Sequence, residues 1–184
     1  MKILWPSFNL FLPVTLAVAV ACGCQTPAEK KSRKLLSTLR LHLEATRNST
    51  KAYERVPVYR AKPVWVNVEK VPFLTEGHVT RAQVRDVVGG FALSVELDHR
   101  GAALLEEYTT ANRDRRLVIF CQFGDQLKDF RWLAAPVVSR RITDGVLTFT
   151  PDATRDEAEE IARGLNNVAK RVQGKWIDQE WIDR

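Results

Sequence analysis

Phe91-Ala92-Leu93-Ser94-Val95-Glu96-Leu97-Asp98 alternates apolar and polar or small residues. Period two of this kind marks a strand with one buried face. Gly89-Gly90 before it permits a tight reversal, because neither residue has a Cβ to clash at positive φ. Asp98 is suited to cap a following helix, its carboxylate accepting the free amides of the first turn. On that helix Ala102, Leu105, Tyr108 and either Ala111 or Asn112 share one side, with Glu106, Glu107, Thr110 and Arg113 opposite. Asn112-Arg113-Asp114 closes it. Arg116 to Gln122 is apolar on both faces, as a central strand is.

Gly124 to Trp132 reads as a polar, irregular connection, and Ala135-Pro136-Val137-Val138 as the start of a strand reaching Ile142. Asp144-Gly145 signals a hairpin, from which Val146 to Phe149 returns. Thr154 and Glu157 have capping-box spacing. Ala158, Ile161, Ala162, Leu165, Val168, Ala169 and Val172 then follow helical spacing. Upstream, Leu39, Leu41 and Leu43 alternate with Arg40, His42 and Glu44, which predicts a half-buried strand with His42 facing out. Arg47 to Arg55 reads as a loop, Pro63 to Glu69 as a strand, Thr75 to His78 as one helical turn, and Ala82 to Val88 as a strand leading to Phe91. These N-terminal strands are expected to extend or flank the same sheet. The fold class that follows is α+β, two helices on a mostly antiparallel sheet, in a β-α-β-β-β-α unit with extra N-terminal strands.

From Val95 to Leu165 the chain resembles the head of the first periplasmic domain of SecD, the accessory subunit of the bacterial protein-export channel. The matching features are the strand ending in Asp98, Gly101, Thr109 or Thr110 with Asn112, and Arg116-Leu117-Val118-Ile119. Ala135-Pro136-Val137, Ile142, Gly145, Phe149, Glu157-Ala158, Ala162 and Leu165 follow in order. Two features depart from the pattern. The turn before the Ala-Pro segment is longer, Gly124 to Trp132, and the Gly-rich segment between the last two strands is reduced to Thr143-Asp144-Gly145. The resemblance implies the fold and a capacity to bind polypeptide. SecD couples proton flow to export through membrane helices, and that motor function is not carried over. Fold alone does not confer function.

With 184 residues, 45% hydrophobic and 27% charged, the composition is that of one globular domain with a sizeable core. The net charge of +6 is partly a property of the stretch from Lys30 to Lys34. Basic residues interleaved with aromatics on one face, as a nucleic-acid surface requires, are lacking, so no nucleic-acid partner is expected. Met1 to Ala21 reads as an export leader: Lys2 supplies its charge, and the apolar run Leu10 to Ala21 is too short to span a bilayer. Ala19-Val20-Ala21-Cys22 resembles a lipobox, which makes Cys22 the expected lipidation site, with Cys24 as the alternative and an unmodified secreted protein as the plainer one. Multiple palmitate-class chains would anchor it stably, at roughly 0.8 kcal/mol per buried methylene. A residue other than Asp after the lipidated Cys favours the outer over the inner membrane. Residues 22–35 read as a flexible tether, solvated or lying against anionic head groups. Residues 36–174 form the domain and 175–184 a Trp-rich tail, in which Trp176-Ile177-Asp178 recurs as Trp181-Ile182-Asp183. Trp176, Ile177, Trp181 and Ile182 are candidate partner contacts, unless both rings fold back on the domain.

Catalytic chemistry finds little support. His42, His78 and His99 are scattered, without second ligands at metal-binding spacing, so no metal is expected. No Gly-rich phosphate loop, nucleophile elbow or cofactor motif is present. Asp156-Glu157-Glu159-Glu160 opens a helix, where negative charge suits the macrodipole. Cys121 reads as a small buried hydrophobe. The expectation is a non-catalytic, lipid-anchored envelope module that binds or scaffolds export or envelope proteins, with no small-molecule substrate. The alternative is a small envelope hydrolase with an unrecognised site, which would require a pocket with convergent polar groups.

Overall fold

The computed structural model describes residues 35–46 and 51–182, the last eight of these by backbone alone. The expected leader, Cys22, Cys24 and most of the tether lie outside the described residues. Among these described residues, nine strands and two α-helices follow in the order β1 (Thr38–Leu43), β2 (Tyr53–Val58), β3 (Val64–Glu69), β4 (Leu74–Thr75), β5 (Val79–Val87) and β6 (Gly90–Leu97), then α1 (His99–Ala111), β7 (Leu117–Phe123), β8 (Asp129–Ala134), β9 (Val146–Phe149) and α2 (Arg155–Ile182). Single 3-10 turns occupy Glu76–His78 and Asp125–Leu127. The α+β class is as expected: two helices against antiparallel strands.

The strands divide into three sheets, ordered β4-β1-β7-β8, β2-β3 and β5-β6-β9, rather than one. The β5–β6 hairpin forms where the glycines permit it. Val87 pairs with Gly90, and the two-residue turn between them holds Gly89 at a φ of 85°. β7 is central, flanked by β1 and β8, which fits its apolar character on both faces. One side of it, with Leu39 and Leu41 of β1, joins Leu93, Val95, Leu105, Ile161 and Leu165 in the main core, all fully buried. The other side, at Val118, is covered by the β2–β3 hairpin, whose Val56, Val58, Val66 and Val68 make a second small core with Ala135 and Trp132.

That hairpin overturns two expectations. Tyr53 to Arg55 belongs to β2, not to a loop. His42 does not face out: the hairpin covers it, leaving it 6% exposed, with Nδ1 2.8 Å from the Glu69 carbonyl and its ring edge-on to Trp132. The connection after Gly124 is also shorter than expected. From Asp129 the chain is β8, with Trp132 opposite Phe120 and Phe130 opposite Gln122. The strand was hidden because Phe130 is 71% exposed and Arg131 interrupts the apolar residues. Conversely, Ala135 to Ile142 is not a strand. It makes one isolated bridge, Val137 to Arg116, and then leaves the sheet. Gly145 turns with a φ of 67°, but β9 pairs with β6 instead of forming a hairpin with the preceding segment.

The helix ends are set by their caps. The Asp98 side chain accepts from the Gly101 amide at 2.6 Å. Thr154 and Glu157 exchange both capping-box bonds: the Thr154 amide donates to Glu157 at 2.8 Å, and the Glu157 amide to the Thr154 hydroxyl at 3.2 Å. α1 buries Gly101, Leu105 and Thr109, a narrower stripe than expected, with Tyr108 stacked on Phe73 at its edge. The backbone of α2 continues to Ile182, through the stretch read as a tail. The side chains of Trp176, Ile177, Trp181 and Ile182 lie outside the described residues.

Candidate functional site

Sheet edges are where a folded domain can accept another chain, since their outer amides and carbonyls have no ladder partner. Three of the edges are short or occupied in part. On β5, the Asn166 side chain takes the Ala82 amide and carbonyl, both at 2.8 Å. On β8, the Leu133 carbonyl accepts from the Asp152 amide at 2.7 Å, and the Ala135 amide meets the Tyr59 hydroxyl. β4 is only two residues long.

β9 differs. Leu97 donates to the Gly145 carbonyl at 3.0 Å, which makes 97–145 and 95–147 the hydrogen-bonded pairs with β6. The amides and carbonyls of Val146 and Thr148 therefore point away from the sheet. Val146 is partly used, its amide donating to Asp144 Oδ1 at 3.1 Å. Thr148 faces a cleft of about 450 Å³.

The far wall of the cleft is an arch, Pro136 to Asp144. Its first part is tied to the start of β7, where the Leu117 amide donates to the Pro136 carbonyl at 2.9 Å and the Val138 amide to the Arg115 carbonyl at 2.9 Å. Pro136 has no amide to offer a further strand, which explains why the segment departs. Its second part hangs from α1. The Ile142 amide donates to Thr109 Oγ1 at 3.1 Å, and that hydroxyl donates to the Leu105 carbonyl at 2.7 Å. Arg141 pairs with Glu106. Gly145 closes the arch close against α1, where a Cβ would lie 2.8 Å from that of Ala102. The lining mixes Leu117, Val138 and Leu147 with Thr109, Arg140 and Asp144. Such a cleft offers one strand edge, apolar contacts and hydroxyl or guanidinium donors for carbonyls.

Two polar clusters hold the β2–β3 hairpin in place. Arg131 pairs with both carboxylate oxygens of Glu157, at 3.0 and 3.1 Å, and Arg60 reaches Asp152 and Glu157 from the hairpin turn. The Arg131 guanidinium lowers Glu157 to a pKa of about 2. At the other end, the buried Glu69 carboxylate meets Lys51 at 2.8 Å and Arg115 at 3.4 Å. Burial pushes His42 below its ordinary pKa of 6.5. These groups are spent on one another. Neither cluster opens onto the cleft.

Cys121 is buried in β7, and burial raises its thiol well above the usual range, which leaves it an inert core group. Among the described residues, no three His, Cys, Asp or Glu side chains gather as metal ligands. No helix among them is long and apolar enough to cross a membrane. Thr109 and Thr148 were invisible as site residues in sequence, since a threonine at a helix end or in a strand carries no signal of what faces it.

The chain is similar to solved structures of an export component. One, described as a membrane component SecDF that enhances protein export, matches with a TM-score of 0.52 and 21% identity over 78% of this chain and 70% of that one. A second, SecDF in a super-membrane-facing form, matches with a TM-score of 0.52 and 20% identity over 78% of this chain and 21% of that one. At this identity the likeness concerns the fold. No curated protein sequence matches the chain. The model of the SecDF P1 head subdomain matches residues 50–169, which takes in the hairpin, the cleft and most of α2. The chain belongs to the SecDF P1 head subdomain family.

Proposed function

We propose that this chain is a non-catalytic envelope module that binds extended polypeptide by adding a strand to the open edge of β9. The observation that carries it is the free Thr148 edge, facing a cleft whose other wall is an irregular arch. A peptide laid there gains main-chain hydrogen bonds whatever its sequence, and apolar side chains beside Leu147 and Val138 find contact. Sequence-tolerant capture of this kind suits a relative of an export component. The lining sets apolar Leu147 and Val138 beside hydroxyl and guanidinium donors, a mixture suited to holding an extended chain. Acylation at Cys22, or at Cys24, would keep the module on the periplasmic side of the envelope, the outer membrane being the favoured one. Trp176, Ile177, Trp181 and Ile182 would supply a second contact with export or envelope proteins.

Thr148→Pro tests the reading. It removes the outward amide without touching a main-chain hydrogen bond to β6; the Thr148 hydroxyl's bond to Ser94 Oγ at 3.3 Å is lost with it, so Thr148→Val, which loses only that hydroxyl, is the stability control. Affinity for an unfolded, apolar peptide should fall roughly tenfold or more, by the loss of main-chain pairing. Unchanged affinity at an unchanged melting temperature would remove β9 as the site. Mass spectrometry of the envelope-derived protein checks the acyl group separately.

A further inference from the structure

The open edge of β9 presents an uneven set of groups. Its outward residues are Val146 and Thr148, because 97–145 and 95–147 are the pairs bonded to β6. One of their four backbone groups is already spent, the Val146 amide donating to Asp144 Oδ1 at 3.1 Å. The Val146 carbonyl, the Thr148 amide and the Thr148 carbonyl remain, an acceptor, a donor and an acceptor in chain order. Asp144 is fixed in place by its neighbour: Gly145, at a φ of 67°, accepts from the Leu97 amide at 3.0 Å and lies against Ala102. Asp144 is exposed, and among the described residues it forms no ion pair. Arg141 beside it in the cleft lining is taken by Glu106, and Arg140 stands exposed on the arch.

An added strand can run in either direction, and the two directions use these groups differently. In antiparallel addition, the residue opposite Thr148 exchanges both bonds with it. The residue opposite Val146 donates to the Val146 carbonyl, and its own carbonyl is then aimed at the Val146 amide. Asp144 already holds that amide, so a carbonyl oxygen is set against a carboxylate with no donor left for it. That carbonyl goes unpaired. In parallel addition, one residue donates to the Val146 carbonyl and accepts from the Thr148 amide. The residue two further on donates to the Thr148 carbonyl. Three consecutive residues thus make all three bonds, and the first carbonyl to meet Asp144 lies two residues upstream. A chain that begins before that point avoids the conflict, and its terminal ammonium lies on the Asp144 side.

We propose that Asp144 determines the specificity of this edge. It directs the incoming polypeptide parallel to β9, and it favours chains whose free amino terminus lies beside its carboxylate. The ligand class is therefore the amino-terminal segment of an extended polypeptide. The inference rests on the strand-addition reading of the cleft and deepens it. Oδ1 is held by the Val146 amide, which leaves Oδ2 for the ammonium.

The test is fluorescence anisotropy of the full chain with an apolar decapeptide carrying a dye at an amidated carboxyl end. The amino terminus is free in one version and acetylated in the other. The free form should bind roughly two- to fivefold more tightly, the scale of an exposed ion pair. About 0.5 M salt should erase the difference. So should Asp144→Asn, which keeps an acceptor for the Val146 amide, and a melting temperature equal to wild type shows that this variant is folded. A nitroxide at the amino end of the peptide should broaden the Val146 amide resonance of the wild-type protein more than one at the carboxyl end. Equal affinities of the two forms for wild type, or stronger broadening from the carboxyl end, would overturn the proposal. A preference that persists in Asp144→Asn would overturn it too, by assigning the amine to another acid. Where Thr148→Pro still weakens binding in those cases, strand addition stands and only the role of Asp144 falls. Binding that Thr148→Pro leaves unchanged removes both.

Discussion

Asn166 completes the β5 edge: its side-chain amide accepts from the Ala82 amide and donates to the Ala82 carbonyl, both at 2.8 Å. A side chain on α2 thereby takes the place of a neighbouring strand, and two backbone groups that water or another molecule would otherwise claim are satisfied internally.

Asn166→Ala should cost about 1 to 3 kcal/mol, the scale of unpaired backbone groups at a part-buried site. Asn166→Asp keeps the acceptor and loses the donor, and should lie between. The check is the urea midpoint of each variant, together with amide exchange at Ala82. Fast exchange should appear there first, and its absence would mean that the edge is protected by something other than this side chain.

Stability should fall in acid through Glu157. Its folded pKa of about 2 lies below the ordinary value of 4.5, with Arg131 the largest cause, so the charged form is favoured by folding. The contribution is present above the unfolded value and is lost as pH falls from about 4.5 towards 2. It amounts to roughly 2 to 3 kcal/mol. Urea midpoints measured between those pH values should converge for wild type and Glu157→Gln, the difference at neutral pH disappearing at the acid end.

His42 gives a second pH dependence of a different origin. Burial under the β2–β3 hairpin is the largest influence and lowers its pKa, with the Glu69 carbonyl acting in the opposite direction. Folding therefore favours the neutral ring. The unfolded chain takes up the proton more readily below about 6.5, so stability declines as pH drops through that value and below it. His42→Gln should abolish this portion of the pH slope. Comparing urea midpoints at pH 8 and pH 5.5 measures it, since Glu157 does not titrate in that window.

The local elements were legible because their causes are local. Alternation made β6, the Gly pair made the β5–β6 turn, and the Thr154–Glu157 spacing made the start of α2. The errors arose where a neighbour distant in sequence decides. His42 obeys the alternation of β1 and is still buried, because the hairpin of residues 53–69 lies on that face. Val146 to Phe149 reads as a hairpin partner of its own predecessor and pairs instead with β6, which Pro136 and the Thr109 hydroxyl allow by drawing the intervening arch away.

By itself the sequence determined the class of fold, the helix caps, the core positions of α2 and the family, all of which rest on spacing within a few residues or on an ordered series of such spacings. Only the tertiary structure decided which edge is open and which charges meet. Thr148 is an ordinary strand residue until β9 is found at the rim of its sheet. Arg131 and Glu157 are unrelated charges until the fold sets β8 beside the start of α2. Edges and charged surfaces are properties of long-range pairing, and period and propensity, which report the environment of single elements, do not encode them.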